Sequence, residues 1–246
     1  MLISAMVGID SRATMDIDTT LRNYPLNCES AEQIVRQIAD VEIDDKISFV
    51  IKKTEEIMED SEYQGVRLSL DAYLDKTRIP LKIDISTGDV ITPCEISFSY
   101  QLMFENRTIP LLAYPPETVL AEKLETILSR GEANTRLRDF YDVYILQRED
   151  FVVTPDALCH ALLATCRKRG HEDLLHTYAS ILDRVRQSDT MRTQWMKYQT
   201  DFDYAAGIAW DTVVDAVETL CMKILDAPVF GDELPQEESQ FEMHLL

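Results

Sequence analysis

Asp16 and Asp18 stand two residues apart in the stretch TMDIDT, Thr14 to Thr19. Polar and apolar residues alternate through it, as they do in a half-buried strand. Side chains at i and i+2 of a strand share a face, so the two carboxylates point the same way. Arg12 and Thr14 fall in line behind them, while Met15 and Ile17 face the core. Like charges about 7 Å apart along a strand repel in a partly buried site unless something compensates them. A divalent cation does so, and hard carboxylate oxygens suit Mg²⁺. The alternative is a pair of solvated aspartates at a strand end.

A second alternating stretch, LKIDIS, repeats the logic. Leu81, Ile83 and Ile85 take one face, and Lys82 and Asp84 the other. A third carboxylate on a neighbouring strand would complete a three-aspartate cluster. Such a cluster can hold two Mg²⁺ ions on a nucleoside triphosphate, one for the attacking hydroxyl and one for the leaving pyrophosphate. An ordinary amphipathic hairpin strand would read the same way.

Two helical stretches add cationic and acidic candidates. In ETVLAEKLETILSR, Val119, Leu120, Leu124, Ile127 and Leu128 form one apolar arc at 100° per residue. Lys123 falls inside that arc, whereas Glu122 and Glu125 fall opposite. A lysine at a core-facing position must reach a phosphate or carboxylate partner, or snorkel to water. In RLRDFYDVY, Asp139 and Asp142 are three apart and share a helical flank. Either aspartate could orient Lys123, and Arg136 or Arg138 could reach a phosphate. A helix N-terminus that favours acidic residues is the simpler reading.

The elements that would carry these residues follow from periodicity. Met1–Gly8 reads as the end of a helix, and Asp10–Leu21 as a strand. Ser30 and Gln33 fit a capping box for a helix with Ile34, Val35, Ile38 and Val41 on its apolar side. Strands are expected at 47–53, 66–73, 80–86, from Ile96 to Leu102, and at 107–113, with a hairpin joining the second and third. From Pro116 onward the pattern turns helical: 117–130, 137–147, a helix capped by Thr154 and Pro155 that stops near Gly170, then 172–186, 190–199 and 204–225. The expected class is α+β. A mixed β-sheet core with flanking helices occupies residues 1–115, an all-helical domain 116–230, and an acidic tail 231–246.

Composition narrows the function classes. The chain has 246 residues and a formal charge of −20, so a broad electrostatic grip on nucleic acid is disfavoured. Its five cysteines form no CxxC pair, and its four histidines no metal-ligand spacing. Buried free thiols in a reducing, cytoplasmic setting are expected. No apolar run approaches the roughly 18 residues of a membrane span.

The order DxD, KID, LAEKL and RDFYD resembles the AbiEii/AbiGii family of nucleotidyltransferase toxins, members of the DNA polymerase β-like superfamily. The aromatic run WMKYQTDFDYA, residues 195–205, extends the resemblance over most of the chain. The resemblance implies that Asp16 and Asp18 bind metal and that Asp84 is the third carboxylate, serving as metal ligand or base. It implies that Lys123 contacts nucleotide phosphates, that Asp139, or the neighbouring Asp142, is the last motif's acidic residue, and that Arg12 sits beside the triphosphate. The implied activity is Mg²⁺-dependent transfer of an NMP from an NTP to an acceptor hydroxyl, with tRNA or another RNA as acceptor, in an abortive-infection or toxin–antitoxin module. The implied partner is a winged-helix antitoxin encoded nearby, and the implied site is the cleft between the two domains. The pattern departs from the family at its start. A Gly-Gly or Gly-Ser turn that would cradle the triphosphate is expected upstream of DxD, and it falls before Met1. A catalytically incomplete interaction protein of the same fold, or a metal-dependent nuclease using the same aspartates, therefore stays open as an alternative.

Overall fold

The computed structural model describes residues 2–8, 16–43, 46–57, 65–102, 105–148 and 153–225. Arg12, the first part of the expected strand at 10–15, the acidic tail and the side chain of Asp16 lie outside the described residues. The fold is α+β, and the chain divides into two compact units, Met1–Pro115 and Pro116–Leu246.

The first unit opens with α1 (Leu2–Val7), then β1 (Asp16–Thr20) and α2 (Cys28–Ala39). Strands β2 (Ile47–Ile57), β3 (Gly65–Leu74) and β4 (Thr77–Ser86) follow, and then the antiparallel pair β5 (Ile96–Gln101) and β6 (Thr108–Ala113). Strand order in the main sheet is β1-β4-β3-β2, mixed in direction because β1 runs parallel to β4 while the other pairs are antiparallel. Alternation places Val66, Leu68, Leu70 and Ile85 on one face, where Ala31 and Val35 of α2 close over them. Fully burying each of the larger side chains contributes about 1.5–3 kcal/mol. The opposite face is left to the polar residues of the same strands.

Four expectations in this unit need correction. The helix starts earlier than Ser30 suggests: Asn27 is the N-cap. Its side chain accepts from Ser30 N at 2.8 Å, while Ser30 Oγ accepts from Asn27 N at 3.0 Å. Asn caps as well as Ser does, and here it takes the extended backbone that a cap requires. The helix then ends at Ala39, so Ile38 and Val41 are exposed and do not pack. Strand β2 also runs past Lys53. A bulge between Ile51 and Lys53 leaves Lys52 unmatched, after which the ladder resumes to Ile57. The cysteines are free, but Cys94 is exposed and Cys28 half-buried.

The second unit is helical. It comprises α3 (Pro116–Arg130), a 3₁₀ turn at Gly131–Ala133, α4 (Leu137–Leu146), α5 (Pro155–Lys168), α6 (Leu174–Gln187), α7 (Asp189–Asp201) and α8 (Trp210–Leu225). Thr154 caps α5 by accepting from Ala157 N at 3.3 Å, with Pro155 in the first turn. The single helix expected over 204–225 is broken. A 3₁₀ turn at Asp203–Ala205 is followed by Gly207 at φ 77°, and α8 begins at Trp210. That left-handed conformation suits glycine and ends the turn. Leu124, Ile127, Phe140, Val143, Leu162, Val213 and Val217 form the fully buried interior. Trp195 donates its indole N–H to Ile208 O at 2.8 Å and ties the break to α7. Among the described residues, no helix is long and apolar enough to cross a membrane.

Candidate active site

In the first unit, Asp18 and Asp84 are register partners on the parallel pair β1 and β4. Partners in register share a sheet face. The next pair on that face, Thr20 and Ser86, demonstrates it by bringing their hydroxyl oxygens to 3.0 Å. Asp16 pairs with Lys82 two residues earlier on the same face. Asp18 is exposed and Asp84 half-buried. The strand pair thus sets carboxylates of adjacent strands side by side, an arrangement alternation within one strand could only suggest.

Asp84 is held by a partner that sequence patterning missed. Arg67, its register partner on β3, donates Nε to Oδ1 at 2.7 Å and Nη2 to Oδ2 at 2.6 Å. This forked pairing fixes the carboxylate plane. The signal was available, because Arg67 breaks the apolar run of β3 on the polar side. A second cluster closes the C-terminal ends of β1 and β4. Asp89 Oδ2 accepts from Thr20 Oγ1 at 2.6 Å, from Ser86 Oγ at 2.5 Å and from Tyr114 OH at 3.0 Å. No motif marks Asp89, a loop residue that acquires its role only when the strand ends meet.

In the second unit, Lys123 on α3 meets both acidic residues of α4. Its Nζ lies 2.8 Å from Asp139 Oδ1 and 2.7 Å from Asp142 Oδ2. The lysine side chain is 11% exposed and the aspartates 2% and 0%. Burial alone pushes the ammonium pKa down. The charges of Asp142 and Asp139, with their hydrogen bonds, outweigh that and leave it above the ordinary lysine value. Arg136 adds an ion pair to Asp139, with Nε 2.9 Å from Oδ2 and Nη2 donating to Oδ1 at 3.4 Å. Asn134 accepts from Arg136 N at 2.7 Å, and its buried Nδ2 is a donor without a partner among the described residues.

Glu125 corrects the wheel reading of α3. Expected on the face away from the core, it is 1% exposed and bonds Arg169 and His171, the latter at 2.6 Å through Nδ1. Helix α3 packs against α4, α5 and α6, so almost every side of it is interior. A wheel that assumes one packing face cannot see this. Burial, helped by the Glu125 charge and opposed by Arg169, pushes the Cys166 thiol up to about 12, which keeps it protonated.

Chemically, the first unit offers hard oxygen donors for a cation of the Mg²⁺ class, and the second a cation already matched by two buried anions. Among the described residues no group of three or more His, Cys, Asp or Glu side chains converges; the described carboxylates of the first cluster are Asp18 and Asp84.

Comparison with known proteins bears on the same question. No curated protein matches the chain. Two crystal structures from Helicobacter pylori are similar to it. One is described as a nucleotidyltransferase, with TM-score 0.48 and 12% identity, covering 92% of this chain and 84% of that one. The other is JHP933, with TM-score 0.47 and 13% identity, covering 92% and 83%. Residues 1–216 match the model of the family described as nucleotidyl transferase AbiEii toxin, type IV toxin–antitoxin system, and the chain belongs to that family of nucleotidyltransferases.

Proposed function

We propose that this nucleotidyltransferase transfers a nucleoside monophosphate from an NTP to an acceptor hydroxyl on RNA, with tRNA as the first candidate. The observation that carries the reading is the register pairing of Asp18 with Asp84, with Asp16 one turn of the pleat away on the same face. Those three carboxylates would hold Mg²⁺. When bound, the ions supply charge neutralisation of the triphosphate and acidify the attacking hydroxyl. Asp84 takes the proton as that oxygen bonds to the α-phosphorus and pyrophosphate leaves with the electron pair of the broken P–O bond. Arg67 keeps the Asp84 carboxylate aimed while this happens. Lys123 and Arg12 serve the phosphates, with Asp139 and Asp142 orienting the lysine from α4. We assign the first unit the transferase core and the second an all-helical domain. The toxin acts in the cytoplasm and is opposed by a winged-helix antitoxin.

The test is incorporation of a labelled NTP into RNA by the purified chain with Mg²⁺. Asp18→Asn and Asp84→Asn should each lower incorporation at least about a hundredfold, the scale at which positioned acid–base groups act. Full incorporation by both variants would overturn the mechanism. Shortened RNA with no label would point to a nuclease.

A further inference from the structure

Asp18 and Asp84 are like charges placed directly opposite each other, an arrangement that pushes paired strands apart. Arg67 offsets part of that repulsion from the side of β3. Strand β1, however, is five residues long, and its ladder to β4 is parallel, the weaker pairing per residue. The strands that carry the carboxylates therefore gain from a tie on the carboxylates' own face. Asp89 supplies one at the next pair on that face, Thr20 and Ser86. Strand β4 ends at Ser86, and Gly88, at φ 82°, takes the left-handed turn that brings Asp89 back beside that end. Asp89 Oδ2 gathers hydroxyls from three segments: Thr20 of β1, Ser86 of β4, and Tyr114, the residue after β6. The Thr20 hydroxyl also meets those of Tyr114 and Ser86. Hydrogen bonds to a carboxylate are roughly twice as strong as neutral ones, and all four side chains are half-buried.

We propose that Asp89 is a positioning residue for metal binding and transfer: it holds β1 against β4 so that Asp18 stands beside Asp84 before a cation arrives; the inference rests on the proposed function for the reaction it serves. Asp89 acts through the two strands and not as a ligand, because the oxygen turned toward their ends already accepts three donors. A carboxylate pair fixed in advance takes the ion without first drawing the strands together. The gain in rate is large, since a misplacement of about 1 Å can cost about a hundredfold.

The test compares Asp89→Ala, which removes the acceptor, with Asp89→Asn, whose carbonyl oxygen still accepts hydroxyls. Mn²⁺, which takes the same hard oxygen ligands, is titrated into each full chain without NTP or RNA and followed by electron paramagnetic resonance. Labelled-NTP incorporation is measured alongside. Asp89→Ala should weaken Mn²⁺ binding roughly tenfold and lower kcat about a hundredfold with little change in KM for the NTP. The Mg²⁺ needed for half-maximal incorporation should rise as well. Asp89→Asn should stay within about fivefold of wild type in both measurements. Tyr114→Phe drops one donor of the three and keeps the ring. It should weaken Mn²⁺ binding about two- to threefold, which decides the matter even where the alanine variant folds poorly. Asp89→Asn failing as badly as Asp89→Ala would make Asp89 a direct ligand and overturn the proposal. So would wild-type Mn²⁺ affinity in Tyr114→Phe and in folded Asp89→Ala, or a wild-type chain that takes up no Mn²⁺. The two readings fail separately. Mn²⁺ binding that depends on Asp89, without label transfer, removes the transferase reading and keeps this one. Transfer with unchanged kcat and Mn²⁺ affinity in Asp89→Ala does the reverse.

Discussion

The two acidic clusters use the same side chains in opposite surroundings. Asp18 and Asp84 lie on a sheet face with water at hand, and the cation that meets Asp84 is itself 37% exposed. Asp139 and Asp142 are sealed between helices with an almost buried lysine. Exposed Asp18 and half-buried Asp84 keep oxygen lone pairs beyond those that Arg67 uses, and can accept a ligand at little cost in stability. In the buried trio nearly every charge is already matched, so its members hold the fold whatever else they do. The difference teaches that acidic residues of one motif set can divide between open positions that can take a ligand and sealed positions that hold the fold, with burial deciding which.

The largest effect that would test this contrast is on stability. Lys123→Met leaves two buried carboxylates without their main partner, which should destabilise the protein by about 3–5 kcal/mol in urea denaturation. A loss below about 1 kcal/mol would mean that the trio is more open to water than its burial implies. Next comes pH. Lys123 has a raised pKa in the folded protein, so its contribution is fully present below the unfolded lysine value of about 10.4 and is lost as pH rises through the higher folded value. The melting temperature of the wild-type chain should therefore fall more steeply on the alkaline side of that value than that of Lys123→Met. Parallel curves would remove the lysine from the account. The smallest effect is the complement. Asp18→Asn should stay within about 0.5 kcal/mol of wild type in the same denaturation, while under the proposed function it lowers transfer at least about a hundredfold. A large loss there would make Asp18 structural too and collapse the contrast.

What could be read in advance divides along the same physical line. Alternation found β3 and β4 because both bury one face against α2. It stopped β2 at Lys53 because KKTEEI carries no two-residue apolar period, and only the ladder to β3 reveals the bulge and the continuation. The lysine on α3 was legible as a residue in need of a partner, and α4 supplies two. Glu125 was misplaced because a wheel cannot count neighbouring helices. Arg67 and Asp89 went unread because their importance lies in cross-strand register and loop closure, which separate the partners by many residues of chain.

Strand β1 has a consequence of its own. It is five residues long and lies at the margin of the sheet, paired among the described strands with β4 alone. Short marginal strands open more readily than interior ones, and the hydroxyl cluster on Asp89 fastens this one's far end together with the Leu21 N–H, which donates to Ser86 O at 2.9 Å. A cation bridging Asp18 to Asp84 would tie β1 to β4 midway along its length. Amide hydrogen exchange in residues 17–20 would then slow on ligand binding while β3 stays as it was, so the strand bearing the first carboxylates would itself report when they are in use.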